Sequence, residues 1–362
     1  GREAKMALRV LVMAGGTGGH VFPALAIVKA LQEQGHSVEW LGTRSRIEER
    51  VVPAAGITIH YIDVKGVRRN GVGALLKAPF MVAHAIAQAR QVIKQFKPDV
   101  VIGFGGYASG PGGVAAYLSG IPLILHEQNA AAGMTNRILA RFARKILLGV
   151  GAAFSGPKVE AVGNPVRAEI AQLFQEERNF NHPDGKLHIL IIGGSLGAQA
   201  LNERVPEALK QLDAEDLCVV HQCGQGQSDK TKQRYEGARF AVTTSDFIQD
   251  MASAYRQADL IICRAGASTI SELSAVKLPA ILVPLPTAVD DHQTKNALTL
   301  VNAGGAKLIA QSELTAEKLA AVIKEIRDPK TLAAMSQGAA SLEHLNATQR
   351  VCAVIAELAA QK

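Results

Sequence analysis

The chain writes one unit twice. "LRVLVMAGGTGGH", Leu8–His20, comes back as "LHILIIGGSLGAQ", Leu187–Gln199: an apolar run, two glycines, a hydroxyl residue, one open position and another glycine. A second pair follows later in each half. "PDVVIGFGGYASGPGGVAAYLSGIPLILHE" begins at Pro98 and "ADLIICRAGASTISELSAVKLPAILVPLP" at Ala258. Both read as strand, glycine-rich turn, short helix and a next strand opened by Ile-Pro or Leu-Pro. Apolar β-rich runs alternating with helical stretches predict parallel sheets wound by crossover helices. Two such units in tandem predict an α/β protein with two Rossmann-like, doubly wound domains facing across a cleft. The predicted domains are residues 7–163 and 164–342, joined at "VEAVGNPVRAEI" (Val159–Ile170), where Asn-Pro marks a turn. Sequence does not decide which domain residues 343–362 close on; packing back on the first is one choice. A chain of 362 residues is long enough for two cores.

Several classes drop out. Val100–Leu125 carries no charge, but its seven glycines and two prolines make a poor spanning helix. GREAK, ahead of Met6, reads as a leftover outside the fold, and no basic-headed secretory signal is visible. Cys218, Cys223, Cys263 and Cys352 form no CxxC pair, so free thiols are expected rather than disulfides or a zinc site. The first 163 residues hold 19 Lys+Arg against 9 Asp+Glu, while the remainder hold 20 against 23. That asymmetry predicts a polyanionic partner for the first half, an anionic membrane or a phosphorylated substrate, with a merely solvated basic surface as the other reading. Nucleic acid is disfavoured, because only 4% of residues are aromatic and no DNA- or RNA-binding signature is present.

A strand that enters a helix through glycines aims free backbone N–H groups and the positive end of the helix dipole at one spot, where phosphate is the usual occupant. Two copies predict two phosphate-bearing ligands. Neither copy is a dinucleotide fingerprint: Val21 stands where GxGxxG needs its last glycine, and "SVEWLGT" ends without an acid for a ribose. No GxxxxGK[ST] loop occurs. His20 follows the first turn at a helix start, which favours the neutral imidazole of a general base; packing beside the turn is its other reading. Thr269-x-x-Glu272 has the spacing of a capping box, and Glu272 has a second reading as an acceptor for ribose hydroxyls. Arg167 offers a planar fork to a diphosphate. Asp290–Asp291 lacks a D-x-D pattern, so a solvated loop is expected and no metal. Val67–Arg90 interleaves Arg68, Arg69 and Lys77 with Leu75, Leu76, Phe80 and Met81, the composition of an interfacial membrane contact; a core helix with a basic shoulder is its other reading.

Taken in order, "MAGGTGGHVFPALA", "GFGGYASGPGGVAA", "HEQNAAAGMTNR", "VGNPVR", "IGGSLGAQ", "RAGASTISEL" and "DDHQTKNA" resemble the MurG family of bacterial glycosyltransferases over essentially the whole chain. The resemblance implies a GT-B fold and inverting, metal-independent chemistry without a cofactor. The implied reaction moves N-acetylglucosamine from UDP-N-acetylglucosamine to the MurNAc-pentapeptide of undecaprenyl-linked lipid I, giving lipid II for peptidoglycan. It implies a peripheral protein on the cytoplasmic side of the inner membrane, with cell-wall or division proteins as further partners. Carried over by motif, Gly15, Gly16, Thr17, Gly18, Gly105 and Gly106 cradle the acceptor diphosphate. Thr17, Gly18, Gly19 and Asn129 lie near the donor sugar, and Arg167 and Ser195 match diphosphate contacts. Ile248 matches a backbone contact to uracil. Ala267, Ser268, Thr269, Ile270, Ser271 and Glu272 match the uridine and phosphate segment, with Glu272 on the ribose. Gln293 and Asn296 match sugar contacts. His20 is the expected base and Glu127 its reserve. The rivals are a UDP-N-acetylglucosamine 2-epimerase of the same fold and a non-catalytic membrane-docking scaffold.

Overall fold

The computed structural model describes residues 7–64, 72–194, 198–342, 344 and 346–361. The chain divides into two compact units, residues 1–165 with 346–362, and residues 166–345. In the first, β1 (Arg9–Met13), β2 (Ser37–Gly42), β3 (Thr58–Tyr61), β4 (Val100–Gly103), β5 (Leu123–Glu127), β6 (Lys145–Leu148) and β7 (Val159–Ala161) form one sheet. Its order is β3-β2-β1-β4-β5-β6-β7, and every pairing is parallel. Helices α1 (Gly18–Glu33), α2 (Ile47–Ala54), α3 (Val72–Phe96), α4 (Ser109–Leu118) and α5 (Met134–Leu139) connect the strands. Val10 to Met13 of β1 are fully buried, as a strand covered on both faces must be, and this is why the sequence there is an unbroken apolar run. The uncharged segment 100–125 is β4, α4 and β5. Among the described residues no helix is long and apolar enough to cross a membrane.

The second unit repeats the plan. Its strands are β8 (Leu187–Ile192), β9 (Leu217–Gln222), β10 (Ala241–Ser245), β11 (Leu260–Cys263), β12 (Ala280–Leu282) and β13 (Ala306–Leu308). They lie in the order β10-β9-β8-β11-β12-β13, again all parallel. Helices α6 (Ala168–Ala171), α7 (Ala198–Gln211), α8 (Ser228–Arg234), α9 (Met251–Gln257), α10 (Ala267–Val276), α11 (His292–Asn302), α12 (Ala316–Ile326) and α13 (Pro329–Ala340) surround this sheet. In both sheets the strand order reverses beside the first strand, at β1/β4 and at β8/β11, where open α/β sheets bind ligands.

The last helix, α14 (Ala347–Ala360), packs into the first unit, a choice the sequence left open. Val351, Val354, Ile355 and Leu358 follow helical spacing and enter the core that holds β1, α1 and β4. Arg350 donates from both sides of its fork to Glu160 of the β7 strand, at 2.6 and 2.7 Å. The four cysteines are free thiols; Cys223, Cys263 and Cys352 are buried.

Candidate functional site

In the first unit two glycine turns lean on each other. Gly16 (φ 89°) lets the chain swing from β1 into α1, and Gly105 (φ 109°) and Gly106 (φ 99°) do the same between β4 and α4. Gly15 N–H donates to the Gly105 carbonyl at 3.2 Å. A Cβ on Gly106 would lie 2.3 Å from the Gly15 carbonyl oxygen, so the two turns meet this closely only as glycines.

Glu48 sets the first turn. This fully buried carboxylate accepts Gly16 N–H at 3.0 Å, and from Thr43 both the N–H at 3.1 Å and the hydroxyl at 3.0 Å. A Cβ on Gly15 would sit 2.3 Å from Glu48 Oε1. The finding corrects part of the expected cradle: the N–H groups of Gly15 and Gly16 are spent inside the protein. The donors left for a phosphate are those of Thr17, Gly18 and Gly19, at the start of α1, where no carbonyl lies one turn back. The Thr17 side chain makes no capping bond to that helix end. Glu48→Gln keeps the volume but turns an amide NH₂ toward one of these donors. It is expected to cost about 1–3 kcal/mol, read as a lowered melting midpoint together with a raised acceptor KM.

His20 stands beside both turns. Its Nδ1 lies 3.1 Å from the Gly15 carbonyl, and since a carbonyl only accepts, Nδ1 carries the proton and Nε2 is the basic nitrogen. The ring's Cδ2–Nε2 edge faces Gly105, where a Cβ would come within 2.8 Å. Glu127 ends β5 and is buried. It accepts Gly133 N–H at 2.7 Å, Asn129 N–H at 3.3 Å and Asn136 Nδ2 at 3.3 Å, which makes it a brace for the loop that carries Asn129. Burial pushes its carboxyl upward.

His126, one residue earlier, is fully buried. Its Nε2–H donates to the Gly163 carbonyl at 3.1 Å, and Nδ1 accepts from Gln128 Nε2 at 3.1 Å. Burial lowers it to about 4, and lowers His221 of the second unit to about 3. Both stay neutral in the fold while the unfolded chain takes up protons from about pH 6.5 downward. Stability is therefore expected to fall with pH between about 6.5 and 4, by about 3 kcal/mol for each imidazole at pH 4.5. Melting curves across that range check the sign, and His126→Gln should flatten the slope of the first unit.

In the second unit Ser195 lies outside the described residues, so the turn after β8 is described only as far as Gly193 and Gly194 (φ 77°). The turn after β11 is complete. Gly266 is the N-cap of α10, with ordinary extended backbone and no side-chain cap. Thr269 is therefore inside the helix, and the capping box expected from its spacing does not form. Glu272 instead accepts the Tyr255 hydroxyl at 2.5 Å and pairs with Arg167 Nη2 at 3.4 Å. Ala267 to Thr269 supply the opening N–H groups of α10, and Ile270 turns into the core. Ser271 follows on the half-buried side.

Two residues of α11 hold this turn in place. Gln293 Oε1 accepts the N–H of Ala265 at 3.1 Å and of Leu285 at 2.9 Å; Asn296, fully buried, donates to the Ala265 carbonyl at 3.1 Å. Asn296 thus works on the turn's backbone. Ile248 is half-buried in the segment before α9. Asp290 and Asp291 are exposed, and Asp291 accepts the Thr294 hydroxyl at 2.7 Å. Tyr255 and the buried Arg264, which donates to the Val283 carbonyl, are site neighbours that sequence reasoning missed. Of the membrane patch, Arg68 and Arg69 lie outside the described residues and Leu75 belongs to α3. Leu76 and Phe80 are 71% and 78% exposed, Lys77 is exposed and Met81 half-buried.

Comparison with known proteins matches residues 10–148 to the Glycosyltransferase family 28 N-terminal domain and residues 188–351 to the Glycosyltransferase family 28 C-terminal domain. The chain is similar to the UDP-N-acetylglucosamine–N-acetylmuramyl-(pentapeptide) pyrophosphoryl-undecaprenol N-acetylglucosamine transferase of Shewanella loihica, with 51% identity over 98% of both chains. It is 51% identical to the protein of the same name from Aeromonas hydrophila, over 96% of both. The crystal structure of Acinetobacter baumannii MurG superposes with a TM-score of 0.86 at 44% identity, covering 96% of this chain and 99% of that one.

Proposed function

The chain belongs to glycosyltransferase family 28, and we infer that it transfers N-acetylglucosamine from UDP-N-acetylglucosamine to the N-acetylmuramyl-(pentapeptide) carried on pyrophosphoryl-undecaprenol. The observation that carries this reading is 51% identity, over 98% of both chains, to a transferase named for that reaction. The product is lipid II, the building block of peptidoglycan.

The roles within the reaction follow from the two turns. The opening N–H groups of α1, from Thr17 to Gly19, take the acceptor diphosphate, and those of α10 take the donor diphosphate with Arg167 beside them. Glu272 accepts ribose hydroxyls, Ile248 offers its backbone to uracil, and Asn129 and Gln293 reach the donor sugar. His20 Nε2 removes the proton as the 4-hydroxyl of the muramyl sugar attacks the anomeric carbon. UDP leaves from the opposite face, so an α-linked donor gives a β-linked product. Helix dipole and arginine meet the charge on the leaving diphosphate, without a metal ion. UDP release is expected to be undiminished by a chelator, and a loss that added metal restores would overturn that last point.

The acceptor's lipid makes this a membrane-associated enzyme, and Leu76, Phe80 and Lys77 on α3 are the proposed contact with the anionic cytoplasmic face. Phe80→Asp is expected to cut flotation with anionic vesicles severalfold while leaving turnover of a soluble acceptor intact. Release of UDP, measured with and without lipid I, tests the reaction itself. A transferase releases UDP only with acceptor; a 2-epimerase consumes donor alone; a scaffold releases none.

A further inference from the structure

The first unit contains a groove of about 730 Å³ that none of the roles above uses. Ile62, Val64, Ile86, Pro111 and Val114 form its body, and Val82, Met134 and Ile138 stand exposed at its mouth. Arg44 and Arg46 line one side. The Arg44 guanidinium lies 4.2 Å over the Tyr61 ring, and that of Arg46 lies 5.5 Å over Tyr107. We propose that this groove receives the first isoprene units of the acceptor's own polyprenyl chain, with the two arginines flanking the diphosphate end. The inference rests on the transferase reading.

Three observations lead there. The wall is apolar in its body, and a volume in the range of about 300–1,000 Å³ buries a ligand of drug size, enough for the start of a long chain. The groove also grows out of the phosphate cradle. Thr43, in its wall, shares the Glu48 carboxylate with Gly16, and Tyr107, also in the wall, directly follows Gly106. Finally, the charged groups in the described lining are Arg44, Arg46 and Asp63, so two cations stand against one carboxylate, and guanidinium forks suit phosphate oxygens. A cradle of N–H groups, then arginines, then an apolar trench follows the order of groups in a prenyl diphosphate. The peptide of the acceptor, polar along its backbone, does not match an apolar trench, and a bilayer surface would cover the mouth without entering it.

The test uses the full chain without vesicles or detergent. Acceptors share sugar, peptide and diphosphate and carry one, two or four isoprene units, each below its micelle concentration. The expected result is an acceptor KM that falls at least tenfold from the shortest to the longest chain. Val82→Glu and Ile138→Glu change exposed side chains, so the fold does not depend on them. They should abolish that gain and leave the KM for the one-isoprene acceptor and for the donor within twofold. Unchanged chain-length dependence in both variants overturns the proposal. So does an equal loss with every acceptor, which would put the peptide or sugar in the groove, or a loss seen only when vesicles are added. If the unaltered chain releases no UDP with any acceptor, it is the transferase reading that fails.

Discussion

A chain ending at Leu345 is expected to lose its first unit altogether. Helix α14 brings Val351, Val354, Ile355 and Leu358 into a core shared with β1, α1 and β4, and all four are essentially buried. At about 1.5–3 kcal/mol for each fully buried aliphatic side chain, their removal forfeits roughly 6–12 kcal/mol. A domain's whole net stability is about 5–15 kcal/mol. The second unit has its own core, so calorimetry of the truncated chain should show that unit's transition and lack the other. The Arg350–Glu160 fork is not what holds the helix. Its members are 40% and 31% exposed, and ion pairs so placed contribute roughly 0–1 kcal/mol. Arg350→Ala should therefore melt as one folded protein, only slightly less stable. A truncated chain with both transitions intact would mean that α14 is an appendage.

The doubled sheet was legible because its signals are local. Strands covered on both faces must be apolar where they are buried, and "VLVM" (Val10–Met13) and "ILII" (Ile189–Ile192) are, so each ends within a residue of its glycines. The register of turn against turn was not legible. Gly15 meets Gly105 across ninety positions of sequence, and no periodicity reports such a meeting. Glu48 was missed for a related reason. Beside Glu49 and Arg50 it reads as part of a solvated helix start, and only the fold shows that its side chain turns inward to Gly16. Its one sequence signal is the pair of glycines, Gly15 and Gly42, whose absent Cβ atoms make room for it. The capping box failed differently. Thr269-x-x-Glu272 has the right spacing, but Gly266, with an ordinary extended backbone, already opens the helix three residues earlier. Spacing alone does not say where a helix begins, and Glu272 was thereby released to pair with Tyr255 and Arg167.

His20→Ala is expected to lower kcat by about 10²–10⁴-fold, the usual worth of a positioned general base, with donor KM within twofold. The tautomer is what makes the role specific. The Gly15 carbonyl requires a proton on Nδ1, so the lone pair for accepting the substrate's proton resides on Nε2, on the edge that faces Gly105. The same turn that lends its carbonyl to the ring continues into the N–H groups of Thr17, Gly18 and Gly19, so base and phosphate cradle are positioned by one piece of backbone. A donor that binds in the second unit has no reason to sense the change, which is why the split between kcat and donor KM is the informative measurement. Gly105→Ala probes the same geometry from outside the ring. Its Cβ would come within 2.8 Å of Nε2 and Cδ2, so turnover should fall although the imidazole is present. Full turnover in His20→Ala would remove the histidine from the chemistry. Its bond to Gly15 would then be a packing contact, and the proton would have to leave by way of another group on the first unit.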